Sequence, residues 1–404
     1  MVSMSAGRPR PGLAEQHPST RGIVTTWTLV CSSCGRQEPQ DAPVGLCPQC
    51  GQPFLAQFTS PAPARSALSP RWDMWRYSPA LPLTDHEAPV SLGEGMTPLT
   101  ELPGVAREIG VRRLWIKDEG VNPTASFKAR GLSAAVTRAR RRGVPGLVVP
   151  TAGNAGAALA AYGAAAGIPV RVYAPASTPR PILDTVRAMG VELVTIDGHI
   201  GDAGQLSAEF AKESGFFNVA TLREPYRVEG NKTLGLELAE QLEWRLPDVV
   251  VYPTGGGEGV IGIWKAFAEM RAWGWLGKAA PLTRIVVAQA EGCAPLVRAK
   301  RAGADRAIPW ENPVTHAAGL RVPGPLGDRL VLRAIRETDG DAEGASEDDI
   351  RKFTRFLASH SGIDAAPEGG CALAVTARLV QEGRVSRDAE VVVYNTGSGA
   401  SYRS

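Results

Sequence analysis

Four cysteines, one lysine and three glycine-bearing loops concentrate the reactive chemistry of this 404-residue sequence. Cys31-Ser-Ser-Cys34 and Cys47-Pro-Gln-Cys50 are two C-x₂-C pairs, each followed directly by a glycine, Gly35 or Gly51. Two such turns can present four thiolates as a tetrahedron, which is what a structural zinc ion takes. With four protein ligands the site would be closed and structural; the rival is a ribbon of free or disulfide-linked thiols. Lys128 sits in Asn122-Pro-Thr-Ala-Ser-Phe-Lys-Ala-Arg-Gly131, after the apolar run 114–116. Pro123 stops any preceding helix. Thr124 and Ser126 are N-cap candidates for the next one, which puts Lys128 in a first helical turn. The positive end of a helix lowers an amine's pKa, which suits a lysine that condenses with an aldehyde. A solvated surface lysine is the alternative. The chain has only 8 lysines against 36 arginines, so lysine is not its default cation.

The segment 248–262, DVVVYPTGGGEGVIG, reads as strand, glycine turn and helix. Backbone N–H groups at such a helix start bind phosphate, here through Gly255, Gly256, Gly257 and Gly259. The same segment contains G-x-G-x-x-G at Gly257, Gly259 and Gly262, with Glu291 beyond the next apolar run, so a dinucleotide site is a rival. A plain tight connection is another. Glu258 conflicts with a phosphate dianion inside the loop; it is expected to cap the helix or to pair with an arginine. Thr151-Ala-Gly153-Asn154-Ala-Gly156 follows a strand and opens an Ala-rich helix. Its N–H groups suit a substrate carboxylate, with the Asn154 amide on a neighbouring hydroxyl. A third strand end leads into Asn395-Thr396-Gly-Ser-Gly399, where open α/β sheets bind ligands. One lysine and three such loops fit a single cofactor with an aldehyde, a phosphate and a ring nitrogen. A nicotinamide site would leave Lys128 and the Asn154 loop without a role.

The elements that must position these groups are short apolar runs at 146–150, 170–174, 191–196, 249–252, 284–289 and 390–394. They alternate with helical stretches at 131–142, 155–166, 181–189, 260–270 and 349–360. That alternation predicts parallel sheets covered on both faces, an α/β class with two lobes rather than a (β/α)₈ barrel. The expected organisation is a disordered tail at 1–25, a zinc-ribbon-like unit at 26–60, and a linker and lead-in at 61–90. An N-terminal lobe with Lys128 and the Asn154 loop follows at 91–235, then a C-terminal lobe with the phosphate loop at 236–404. The net charge of +3 gives no general attraction to nucleic acid or anionic membrane. No apolar run reaches the roughly 20 residues of a membrane span. The cysteine pattern is not a secreted disulfide framework, which points to the cytoplasm.

Taken together, these segments resemble the threonine synthase family of pyridoxal-phosphate (PLP) enzymes, fold type II, tryptophan synthase β-like, from about residue 91 onward. The motifs are Gly93-Glu-Gly-Met-Thr-Pro98, Ser126-Phe-Lys128, Gly153-Asn154 and Arg223-Glu-Pro-Tyr-Arg227-Val-Glu-Gly230 with Lys232-Thr233. Gly255–Gly259, Gln289-Ala-Glu-Gly-Cys-Ala-Pro295, Gly319-Leu-Arg-Val-Pro323 and Thr396-Gly-Ser-Gly399 complete the set. Some members also carry an N-terminal four-cysteine ribbon. The resemblance implies a homodimer that converts O-phospho-L-homoserine and water to L-threonine and phosphate, a small-molecule reaction with no nucleic-acid or membrane partner. It implies that Lys128 is the Schiff-base lysine and proton carrier, that Asn154 and Gly255, Gly256, Gly257 and Gly259 hold PLP, and that Thr396 meets the pyridine nitrogen. Ser126, Thr151, Gly153 and Asn154 would contact substrate. Arg130, Arg223, Arg227 and Lys232 are candidates for its phosphate, Arg227 first because arginine forks onto phosphate. Ala129, Ala152, Ala155, Glu258 and Ser401 depart from the family pattern. The alternative activities are threonine dehydratase-like or cysteate synthase-like. Beyond this chemistry, the rivals are a Rossmann oxidoreductase and a non-catalytic zinc-ribbon interaction protein.

Overall fold

A computed structural model describes residues 25–83, 88–277 and 281–403. All but the last residue of the expected 1–25 tail lies outside them. The chain starts with a small antiparallel sheet of β1 (Trp27–Cys31), β2 (Gln37–Pro39) and β3 (Phe54–Phe58), in the order β2-β1-β3. Strand β4 (Leu99–Glu101), helix α1 (Pro103–Ile109) and strand β5 (Arg113–Asp118) follow. A run of α/β units comes next: α2 (Lys128–Arg141), β6 (Leu147–Pro150), α3 (Asn154–Ala166), β7 (Val170–Pro175), α4 (Arg180–Ala188), β8 (Glu192–Ile196), α5 (Ile200–Ser214) and β9 (Phe217–Asn218). The rest comprises α6 (Tyr226–Gln241), β10 (Val249–Pro253), α7 (Glu258–Ala272), β11 (Arg284–Ala290), α8 (Pro295–Arg301), α9 (Asp328–Glu337), β12 (Asp341–Ala345), α10 (Glu347–Ser361), α11 (Pro367–Gln381) and β13 (Glu390–Asn395).

Two further sheets result. One has four parallel strands in the order β8-β7-β6-β9; the other has six in the order β12-β11-β10-β13-β5-β4, parallel except for β4. Strands β10 and β13 are buried at every residue, which is why they read as continuous Val/Tyr runs rather than alternating ones. The two expected lobes are there, but the sheets do not divide at residue 235. That position lies inside α6, and the early strands β4 and β5 belong to the six-stranded sheet, β5 pairing with β13 and β4 with β5. A cut by sequence order misses this because the short apolar run of β5 marks only a lead-in to the lysine loop.

Helix α6 packs against both α2 and α7 and joins the two sheets. Gly262 of α7 shows how close the helices come: a Cβ there would lie 2.7 Å from the Asn231 carbonyl carbon of α6. The third glycine of the apparent G-x-G-x-x-G is therefore a packing residue between helices. Arg130 anchors α2 from below. Its guanidinium donates to Glu119 at 2.7 Å and to Glu237 at 2.8 Å, with all three side chains fully buried.

The ribbon is docked on this body. Tyr226, at the start of α6, belongs to the same apolar cluster as Trp27, Leu29, Cys31, Cys47 and Phe54. Arg138 lies 4.9 Å from the ring centres of both Trp27 and Tyr226, and Phe58 covers the Lys232 ammonium at 4.6 Å.

Candidate active site

Lys128 is the first residue of α2, as the helix-start reading expects, but Thr124 and Ser126 do not cap it. The N-cap is Phe127, with no side-chain cap. The Thr124 hydroxyl donates to the Pro123 carbonyl at 2.6 Å, and Thr124 and Ala125 take left-handed φ values of 59° and 56°. Backbone bonds fix the turn instead. Phe127 N donates to the Thr396 carbonyl at 3.1 Å, Ser398 N donates to the Ala125 carbonyl at 3.0 Å, and Ser126 bridges to Gly397. The lysine loop and the Thr396 loop are thus laced together.

Lys128, Asn154, the loop Gly255–Gly259 and Thr396 line one cavity. Desolvation lowers the Lys128 amine to about 8; the Glu258 carboxylate opposes this and the Arg227 guanidinium adds to it. Gly257 takes φ +94°, and a Cβ there would lie 2.5 Å from Val331 Cγ2, so the turn accepts only glycine. A Cβ on Gly259 would overlap the Tyr252 hydroxyl. That hydroxyl is buried on the cavity wall without a hydrogen-bond partner. An orphaned phenol, a glycine cradle and the N-terminus of α7 form a donor set for a phosphate. An amine of lowered pKa and the Thr396 hydroxyl lie in the same cavity. These groups fit PLP.

Two residues on this wall escape a reading of the sequence. Glu368 accepts from Gly319 N at 2.7 Å and from the Tyr402 hydroxyl at 2.5 Å, and burial raises its carboxyl pKa. Next to Pro367, an acid reads as an ordinary first-turn residue. Tyr402 carries no signal.

A second cavity, of about 480 Å³, opens beside the first and shares Lys128, Asn154 and Gly256 with it. Thr151 and Gly153 are on its wall. The Thr151 hydroxyl accepts from Gly153 N at 3.0 Å and from Gly156 N at 3.3 Å, which fixes the loop at the N-terminus of α3. Ser126 and Arg227 line neither cavity. Ser126 is fully buried in its bridge to Gly397. Arg227 donates to Glu258 at 2.7 Å and to the Val219 carbonyl at 2.6 Å. Glu258 thus pairs with an arginine, one of its two expected arrangements, and also accepts from Leu222 N at 3.1 Å. Among the other phosphate candidates, Arg130 is buried as above. Lys232 is fully buried between Glu229 at 2.7 Å and Glu269 at 2.8 Å. Only Arg223 reaches a cavity, where Arg321 joins it.

The four-cysteine cluster is intact. The sulfurs of Cys31, Cys34, Cys47 and Cys50 all lie within 4.8 Å of one another, with Cys31–Cys50 at 3.4 Å and Cys34–Cys47 at 3.6 Å. Four sulfurs at about 2.3 Å from a common tetrahedral centre stand about 3.8 Å apart.

The sequence profile described as pyridoxal-phosphate dependent enzyme matches residues 90–397. A threonine synthase of Methanosarcina acetivorans is 34% identical over 374 residues, covering 91% of each chain. One from Methanocaldococcus jannaschii is 35% identical, over 81% of this chain and 80% of its own. Among solved structures, maize serine racemase superposes with a TM-score of 0.65 at 22% identity, over 75% of this chain and 88% of that one. A threonine deaminase from Solanum lycopersicum gives 0.64 at 21%, over 75% and 83%. These two share the fold.

Proposed function

The chain belongs to the pyridoxal-phosphate-dependent enzymes and, within them, to the threonine synthases; from that premise we propose that it converts O-phospho-L-homoserine and water to L-threonine and phosphate. The observation that carries this reading is the single cavity that brings Lys128, Asn154, the Gly255–Gly259 loop and Thr396 together.

Lys128 would hold the cofactor covalently, the α7 N-terminus and Tyr252 its phosphate, and Asn154 and Thr396 its ring. When bound, PLP supplies an electron sink for charge developed at the substrate's Cα and Cβ. The α3 N-terminus, held open by Thr151, binds and orients the substrate carboxylate. Once free, the Lys128 amine takes a proton from Cα and then one from Cβ. Phosphate leaves Cγ with the C–O electron pair, protons return to Cγ and Cα, and water supplies the hydroxyl at Cβ. An amine of pKa about 8 is well suited to take and return protons near neutral pH. Thr396 would offer the ring nitrogen a neutral hydroxyl, which would leave that nitrogen unprotonated and disfavour transamination.

Three further statements belong to this reading. The four thiolates hold one structural zinc, supported by their spacing. The enzyme is a homodimer, which light scattering tests; a monomer mass at micromolar concentration would refute it. It works in the cytoplasm, in keeping with six cysteines that form no disulfide in the structure. The activity is tested with a panel of phosphorylated and unphosphorylated hydroxy-amino acids, scoring phosphate, ammonia and keto-acid release. Stoichiometric phosphate and threonine from O-phospho-L-homoserine is the expected result. Ammonia and keto acid from threonine alone would replace the reading with a dehydratase.

A further inference from the structure

The inner cations of the site are already neutralised. Arg227 is fixed to Glu258 with both side chains 1% exposed, and the same carboxylate lies 3.6 Å from the Lys128 amine. A phosphate dianion placed against Arg227 would meet a buried carboxylate, and like charges in a desolvated site repel. The larger cavity offers a different arrangement. Among the described residues its charged wall is Lys128, Arg223 and Arg321, with no Asp or Glu. Among the described residues, neither the Arg223 nor the Arg321 guanidinium has a hydrogen bond or ion pair, in a chain that ties Arg71, Arg76, Arg113, Arg130 and Arg384 to carboxylates.

Both arginines sit on braced backbone. Arg223 closes a turn with its N–H on the Ala220 carbonyl at 3.0 Å. The next residue, Glu224, accepts from Tyr226 N at 2.8 Å and Arg227 N at 2.7 Å. Arg321 follows a turn in which Glu368 holds Gly319 N, and Gly319 faces both cavities. The α3 N-terminus lines the same cavity. One cavity thus holds the two arginines, a helix N-terminus and the reactive lysine, which is what an amino acid with a second anionic end requires.

We propose that Arg223 and Arg321, in place of Arg227, receive the substrate's phosphate and select for a phosphorylated side chain; this rests on the threonine synthase reading. The Arg227–Glu258 pair then acts as a fixed support for Lys128.

The test uses the PLP-loaded enzyme and Arg223→Ala, Arg321→Ala and the double variant. The phosphonate isostere of O-phospho-L-homoserine is titrated and its binding read from the cofactor's absorbance, with unphosphorylated L-threonine as the control ligand. Each single variant should weaken phosphonate binding about ten- to hundred-fold, as expected for loss of a charge-assisted contact, and leave threonine binding within about two-fold. kcat/KM for the phosphorylated substrate should fall by the same factor. Inorganic phosphate should compete in the wild type and lose that effect in the double variant. Phosphonate binding that survives in the double variant would overturn the assignment. So would equal losses for both ligands, or a selective loss of phosphonate in Arg227→Gln with no loss at the two arginines. If phosphonate binding needs both arginines but the enzyme releases no phosphate from O-phospho-L-homoserine, the arginine site stands and the threonine synthase reading fails.

Discussion

At the scale of single residues, the site depends on how Lys128 is held. The Lys128 side chain is 23% exposed on the cavity, whereas Lys117 and Lys232 are fully buried and locked to carboxylates, Lys117 to Glu237 at 2.5 Å and Lys232 to Glu229 and Glu269. Borohydride reduction followed by peptide mapping should therefore label Lys128 alone, and Lys128→Ala should lose both the label and activity. A label on Lys117 or Lys232 would refute the assignment. Glu258, Arg227 and Glu368 are the charged groups that set the Lys128 amine. Glu258 favours the protonated form, so Glu258→Gln should lower the lysine's pKa. A base must be unprotonated to act, so kcat rises with pH through that pKa, and the acid limb should move to lower pH in the Glu258→Gln variant. The same change strands the buried Arg227, at a cost of about 3–5 kcal/mol by chemical denaturation. An unmoved limb would mean that Glu258 does not act on Lys128. The sequence shows the conflict at Glu258 but not which arginine answers it, because the partner is 31 residues away in the chain. For the same reason Arg227 reads as a free cation: ion pairs between helices leave no local spacing.

At the scale of elements, the motif-bearing units are legible where apolar runs are short and bounded. The expected runs at 146–150, 170–174 and 390–394 match β6, β7 and β13 within about one residue. Helix α6 is not legible. It is buried from Tyr226 through Ala239, so no polar face gives it a 3.6-residue period. The start of α2 is misleading for a different reason: backbone bonds to the Thr396 loop, some 270 residues later, do the work that sequence assigns to Thr124 and Ser126. The glycine turn is where the sequence places it, and the structure sharpens its test. Gly257→Ala should cost about 1–3 kcal/mol of stability from the left-handed φ and the overlap with Val331. It should also weaken PLP binding at least ten-fold, since the cradle must open. Equilibrium dialysis of PLP measures the second effect, and wild-type affinity would show that the turn tolerates a side chain.

At the scale of the molecule, the ribbon is part of the enzyme body. Removing zinc with a chelator, or Cys47→Ser, should take metal content from one per chain to zero. The melting temperature should fall, because Cys47 packs in the cluster that holds Tyr226. PLP absorbance should persist at moderate temperature, since among the described residues none before Phe127 lines the cofactor cavity. Absent metal, or an unchanged melting temperature, would show the cluster to be vestigial. The order of the six-stranded sheet has a different kind of consequence. β13 is made after β4, β5, β10, β11 and β12, yet it lies between β10 and β5. On the ribosome, the ribbon and the four-stranded sheet can form as they emerge. The larger sheet must wait with an open slot until residues 390–395 arrive, and the slot's apolar edges stay exposed meanwhile. Because the Lys128 turn is laced to residues 396–398, the active site is among the last parts of the chain to take shape. Nascent chains stalled before β13 should therefore be protease-sensitive and dependent on chaperones.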